Sequence, residues 1–139
     1  MRLLKMDRPI CMIASLAILL NQSIDEILDV ADYKADEERS HHFQELIDIA
    51  NVFGYSLLFI EPEPKLNGIE EVIADPIGRL RRHMLNRKGL VCMGEKWHMC
   101  AWGGGLVYDP NGRIYNINYY TINYFAQLVK LTDLVKAGE

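Results

Sequence analysis

Apolar residues crowd the start of the chain without a clear period: residues 9–20 read Pro-Ile-Cys-Met-Ile-Ala-Ser-Leu-Ala-Ile-Leu-Leu. An apolar run of about 10 to 14 residues is too short to span a bilayer, and it reads as a helix buried on all sides. Ser23-Ile24-Asp25-Glu26 then has the form of a capping box, opening a short helix through Val30 with Ile24 and Leu28 on one face and Asp25 and Asp29 on another. Residues 32–39 are polar and read as a loop. From Ser40 a longer helix carries Phe43, Leu46, Ile47, Ala50 and Val52 at nearly helical spacing, and Gly54 is placed to take the left-handed conformation that stops it.

Beyond Gly54 the pattern changes. Residues 55–60 are aliphatic and aromatic, closed by Glu61-Pro62-Glu63-Pro64, which predicts a strand followed by an extended linker. Asp75-Pro76 is an N-cap with proline at the first helical position, and a basic helix is expected from there to about Arg87, before Gly89. Short strands follow at 90–93, 97–102, 106–108 and 113–117, separated by glycines and by the turn Asp109-Pro110-Asn111-Gly112. Ile122, Phe125, Leu128 and Val129 after Thr121 predict a final capped helix. The fold class is therefore α+β in a single domain, 1–139, with a helical half over about 9–54 and a strand-rich half over about 55–139.

Composition narrows the function. The 139 residues are half apolar and carry a net charge of −4, so the surface lacks the clustered cations that nucleic acid requires. The basic cluster Arg79, Arg81, Arg82, Arg87 and Lys88 is local and reads as a solvated helix face. Cys11, Cys92 and Cys100 are an odd count without C-x-x-C spacing, which points to a reducing compartment rather than to a disulfide scaffold. Residues 1–22 imitate a secretory signal, with Arg2, Lys5 and Arg8 ahead of the apolar run, but Asp7 interrupts the basic segment and no small-x-small cleavage site follows. The expectation is a cytoplasmic protein with neither a membrane nor a nucleic-acid partner.

Cys11 lies in the first turn of its helix, where free N–H groups and the helix dipole lower a thiol pKa. A two-residue hairpin turn at Gly103-Gly104 would set Trp102 opposite Gly105, Cys100 opposite Val107 and His98 opposite Asp109, close enough for the carboxylate to orient the ring. His98 and Cys100 share a strand face and, with Cys11, can be drawn as a zinc site, though three such ligands of undefined geometry make the weaker reading. His41-His42 reads as a solvated pair. Tyr115, Tyr119, Tyr120 and Tyr124 with Asn116, Asn118 and Asn123 form an aromatic and amide patch suited to lining a peptide groove. A thiol at an early helix start with a later histidine and carboxylate is the nucleophile, base and orienter order of cysteine hydrolases.

At this point the chain resembles a family. Residues 7–20, Asp-Arg-Pro-Ile-Cys-Met-Ile-Ala-Ser-Leu-Ala-Ile-Leu-Leu, and Ser23-Ile24-Asp25-Glu26-Ile27 look like the cysteine helix and the next helix of papain-like peptidases of the bacteriocin-processing, double-glycine type. Trp97-His98-Met99 and Val107-Tyr108-Asp109-Pro110-Asn111-Gly112 are similar to that family's histidine strand and the turn after it. The resemblance implies a papain-like fold with the Cys11 helix packed on an antiparallel sheet. It implies Cys11 as nucleophile, His98 as general base and then acid, and Asp109 as the group orienting His98. It further implies a peptide or protein substrate, with neither cofactor nor metal. The chain departs from the family before the cysteine: where a glutamine usually supplies an oxyanion donor, the residues are Lys5, Met6 and Asp7, and Met12 stands where glycine commonly follows. Asp7 would shape the site as a backbone cap, leaving the Cys11 N–H as main donor. A silent binding or inhibitory module is the alternative, as is an acyltransferase or amidase on the same residues.

Overall fold

The computed structural model describes residues 1–7, 9–31, 43–62, 65–66, 69–70 and 75–133. Ser40, the His41-His42 pair and the 32–39 stretch lie outside these residues.

Helix α1, Cys11–Leu20, carries the apolar run, and residues 13–20 are all buried, as an all-round apolar helix must be. Asn21 ends it in the left-handed conformation, φ 55°, with its N–H on the last carbonyls. Helix α2, Ile24–Ala31, opens on the expected capping box: Glu26 N–H donates to Ser23 Oγ at 3.1 Å, and the Ser23 hydroxyl bonds Glu26 Oε1 at 3.1 Å. Helix α3, Phe43–Val52, buries Leu46, Ile49 and Ala50 and stops before Gly54, whose φ is +88°. Val52, expected on the apolar face, is exposed because the stripe that meets the core runs through Leu46, Ile49, Ala50 and Phe53, and Val52 falls outside it. Helix α4, Pro76–Met84, is capped by Asp75, which accepts from Gly78 N–H at 3.1 Å. It ends three residues before the predicted Arg87, whose guanidinium folds back onto the carbonyls of Arg82 and His83 at 3.2 and 2.8 Å.

Strands β1 (Tyr55–Ile60), β4 (Gly89–Met93), β5 (His98–Gly103), β6 (Leu106–Asp109), β7 (Arg113–Tyr115) and β8 (Ile122–Lys130) form one antiparallel sheet in the order β1-β8-β4-β5-β6-β7. β2 (Lys65–Leu66) and β3 (Ile69–Glu70) pair separately. Helices α1 to α3 cover one face and α4 the other, giving two cores: Leu16, Leu90, Met99 and Ala126 belong to the first, and Leu80, Trp102, Val107 and Phe125 to the second. Trp102 Nε1–H donates to Met84 O at 2.9 Å and ties the end of α4 to β5.

The segment after Thr121 is not the expected helix. It is β8, which pairs with both β1 and β4 and closes the middle of the sheet. Its apolar spacing looked helical for two reasons. Both faces of β8 are covered, and the bulge at Asn123, where Cys92 faces Tyr124 but Met93 faces Ile122, switches which face the alternate residues point to. Residue 97, expected as strand, lies in the turn before β5 with φ +53°, an uncommon conformation for a tryptophan.

The β5–β6 turn falls at Gly104-Gly105, both with positive φ (59° and 79°), so Trp102 faces Val107 rather than Gly105. The slip is two positions, which keeps every side chain on its expected face. Among the described residues no single helix is long and apolar enough to cross a membrane.

Ser15, fully buried one turn after Cys11, donates from Oγ to Met99 O at 2.9 Å and pins α1 to β5. Ser15→Ala orphans that buried carbonyl, and a loss of about 1–3 kcal/mol is expected in urea unfolding.

Candidate active site

The site is built where the start of α1 meets the first residue of β5. Cys11 is the first residue of α1, and the first intrahelical bond runs from Ala14 N–H to Ile10 O at 2.9 Å, so the N–H groups ahead of Ala14 have no intrahelical acceptor. The arm leading into the helix is tied down as well. Met6 N–H donates to Pro110 O at 2.8 Å, which holds the approach to Cys11 against the turn that follows Asp109.

That turn serves two purposes. Asp109 opens it in the usual way: Gly112 N–H closes on Asp109 O at 2.9 Å, and Asn111 N–H donates to the carboxylate Oδ1 at 2.9 Å. The same Oδ1 accepts from His98 Nε2 at 2.9 Å, while Tyr115 Oη–H donates to Oδ2 at 3.0 Å. The side chain keeps only 3% of its exposure, against 29% for His98. Burial is the largest influence on Asp109 and raises its pKa, but the Asn111 N–H, His98 and Tyr115 outweigh it and leave the carboxyl below its ordinary value.

His98 is reached from β6 along a diagonal, since the register continued past Ala101 and Tyr108 would put Cys100, not His98, across from Asp109. Its neighbours are Cys100, Cys11 and Asp109, in that order of influence. Together they outweigh desolvation and hold the imidazolium up to about 11. For Cys11, burial is again the largest influence and acts upward. It is overcome by His98, by the backbone N–H groups of Met99 and Met12 and by the His98 charge, so the thiol lies below its ordinary value. The Nε2 of His98 is engaged by Asp109. The thiol is thus biased toward its thiolate beside a charged imidazole, half-buried and reachable from solvent, with a buried carboxylate behind the ring.

The structure brings Cys11, His98 and Asp109 together. Asp7 is exposed in the bend before α1 and lines a shallow surface cavity with Leu4, Lys5, Ser23, Ile24 and Asp25. The zinc grouping drawn from His98, Cys100 and Cys11 is rearranged, since Asp109 rather than Cys11 completes the cluster with His98 and Cys100.

The tyrosines and asparagines do not form one patch. Tyr119 packs edge-on to Trp102 and under Arg81, Tyr120 is exposed, and Tyr115 belongs to Asp109. Tyr124 lies beside Cys92 and near Cys11, and burial followed by those thiols raises its hydroxyl pKa. Trp97 and Phe59 stand next to the Tyr124 ring, with centroids 6.3 and 4.7 Å away.

Tyr115 as a carboxylate anchor was not legible in the sequence, because its contact depends on β7 pairing back onto β6. Tyr115→Phe leaves Oδ2 without this donor. The expected result is a raised Asp109 pKa, read by carboxyl NMR titration, and about 1.5–3 kcal/mol of lost stability, the usual range for a bond to a charged group.

Fold and site define an α+β protein in which a thiol at a helix start lies near an imidazole bonded to a buried carboxylate. Compared with protein families, with curated proteins and with solved structures, the chain matches none.

Proposed function

We propose that this chain is a papain-like cysteine hydrolase acting on a peptide or isopeptide bond. The observation that carries the reading is His98, bonded through Nε2 to the buried Asp109 at 2.9 Å and lying close enough to Cys11 to lower its thiol pKa. In this reading the Cys11 thiolate attacks the carbonyl carbon, and the oxygen takes the electron pair as an oxyanion facing the N–H groups at the start of α1. Collapse breaks the C–N bond, and His98 gives its proton to the departing amine. Water then loses a proton to His98, attacks the thioester and releases the acid together with the Cys11 thiolate.

Asp109 keeps Nε2 protonated and directs Nδ1 toward the sulfur, which fixes the tautomer that proton transfer requires. The free thiols of Cys11, Cys92 and Cys100 suit a reducing compartment such as the cytoplasm. Nothing in the relay calls for a cofactor.

The test is to incubate a peptide library with wild type and Cys11→Ala and read new termini by mass spectrometry. Cleavage by wild type alone, with an acyl adduct trapped on Cys11, supports the reading. Absence of both an adduct and cleavage sinks it in favour of a binding module, and adducts that transfer to added amines indicate an acyltransferase.

A further inference from the structure

A third group lies against the histidine and the carboxylate. Cys100 is fully buried on β5, and its sulfur, a ring nitrogen of His98 and a carboxylate oxygen of Asp109 all lie within 4.8 Å of one another. Tyr115 Oη closes the far side, 3.8 Å from Cys100 Sγ and 3.0 Å from Asp109 Oδ2. The three donors come from adjacent paired strands, so their backbones are held in place. His98 and Cys100 are two apart on one strand and therefore share a face, and Asp109 points to that same face from β6.

One nitrogen, one sulfur and one carboxylate oxygen form a donor set of intermediate softness, suited to zinc and its mimic cobalt rather than to magnesium or calcium. Zinc takes such donors at about 2.0–2.3 Å in a tetrahedron, which sets them about 3.3–3.8 Å apart. The 2.9 Å contact between His98 and Asp109 has to open by a few tenths of an ångström, which a rotation at the partly exposed His98 allows.

We propose that His98, Cys100 and Asp109 form a binding site for a zinc-like divalent cation, and that an occupied site silences Cys11. The cation forms bonds to His98 Nε2, Cys100 Sγ and an Asp109 oxygen, leaving a fourth position for water. The Nε2 proton and the Cys100 thiol proton are released to solvent, and no electrons change hands. With Nε2 metal-bound, His98 no longer pairs with Asp109 and cannot carry a proton between Cys11 and the leaving amine. This silencing rests on the hydrolase reading; the binding itself does not.

The test is cobalt titration of the full chain, following the thiolate-to-cobalt charge-transfer absorption. It is run on wild type, Cys11→Ser, Cys92→Ser, Cys100→Ser and His98→Ala, with folding checked by circular dichroism. The expected result is one cobalt per chain, a band retained in Cys11→Ser and Cys92→Ser, and its loss in His98→Ala and Cys100→Ser. Should Cys100→Ser fail to fold, His98→Ala beside the two retained variants decides the matter.

No band at excess cobalt overturns the proposal. So does a band that vanishes in Cys11→Ser, which would put the metal on the nucleophile. Zinc should also stop peptide cleavage by wild type, and a chelator should restore it. The cobalt spectrum requires no turnover, so failure of the metal site leaves the hydrolase reading standing, and failure of cleavage leaves the metal site standing.

Discussion

His98→Ala is expected to slow alkylation of Cys11 by iodoacetamide at pH 6, by up to about tenfold, measured by mass spectrometry of the Cys11 peptide. The sign follows from the balance at the sulfur. Burial is the largest influence on Cys11 and acts upward, and His98 is foremost among the groups that reverse it. Without His98 the upward influence is opposed only by the backbone N–H groups of Met99 and Met12, and the thiol titrates at or above its ordinary range. A thiol of pKa about 8.5 is only about 0.3% ionised at pH 6, which bounds the possible loss of thiolate at a few hundredfold. The weaker intrinsic nucleophilicity of a low-pKa thiolate recovers about half of that on a logarithmic scale, which brings the ceiling on the rate effect to about tenfold. In wild type the fast reaction should persist well below pH 8, because the imidazolium is held up to about 11 and stays charged across that window. Equal rates in the two proteins at pH 6 would refute the pairing of Cys11 with His98.

The second large effect is at Asp109, where alanine and asparagine should differ sharply. Asp109→Ala leaves His98 Nε2, Asn111 N–H and Tyr115 Oη without their acceptor in a buried position. Removing one partner of a fully buried pair costs about 3–5 kcal/mol; because His98 keeps contact with water, the lower end is expected. On the proposed hydrolase reading, cleavage falls together with stability, since nothing then holds the ring.

Asp109→Asn preserves the geometry. An amide oxygen at the Oδ1 position still accepts from His98 and Asn111, and its NH₂ at Oδ2 can donate to the Tyr115 hydroxyl, which accepts as well as it donates. The tautomer survives and only the charge is lost, so asparagine should retain most of the stability and a measurable fraction of the activity.

pH sharpens the comparison. Asp109 has a folded pKa below its unfolded value, so its contribution is present above about pH 4 and is lost as pH falls through the folded pKa. His98 works in the opposite sense: its contribution is complete below about pH 6.5 and is lost as pH rises toward about 11. The stability gap between wild type and Asp109→Ala should therefore narrow as the solution is acidified below pH 4, read from urea midpoints at each pH. A gap that does not change with pH would mean that the carboxylate charge contributes nothing.

Much of this fold was written locally. The capping box at Ser23 and Glu26, the Asp75-Pro76 helix start and the left-handed Gly54 each rest on bonds spanning a few residues, so the chain specifies them without help from distant parts. The all-apolar stretch ending at Leu20 could only be buried, and it is. Even the Asp109 turn was legible, along with the prospect that its carboxylate faces His98, because the hairpin parity survives a two-residue slip in the turn.

Tertiary structure decided what local signals could not. Whether residues 122–130 became helix or strand depended on an open position between β1 and β4, partners far away in sequence, and ladder bonds to both outweighed a helical apolar spacing. The hairpin register depended on which two of three consecutive glycines took positive φ, and Gly103 stays within β5 because it pairs with Leu106. Tyr115 on Asp109, Ser15 on Met99 and Cys11 beside His98 are contacts across strands and layers. Sequence spacing carries no distance between such residues; only the packed sheet does.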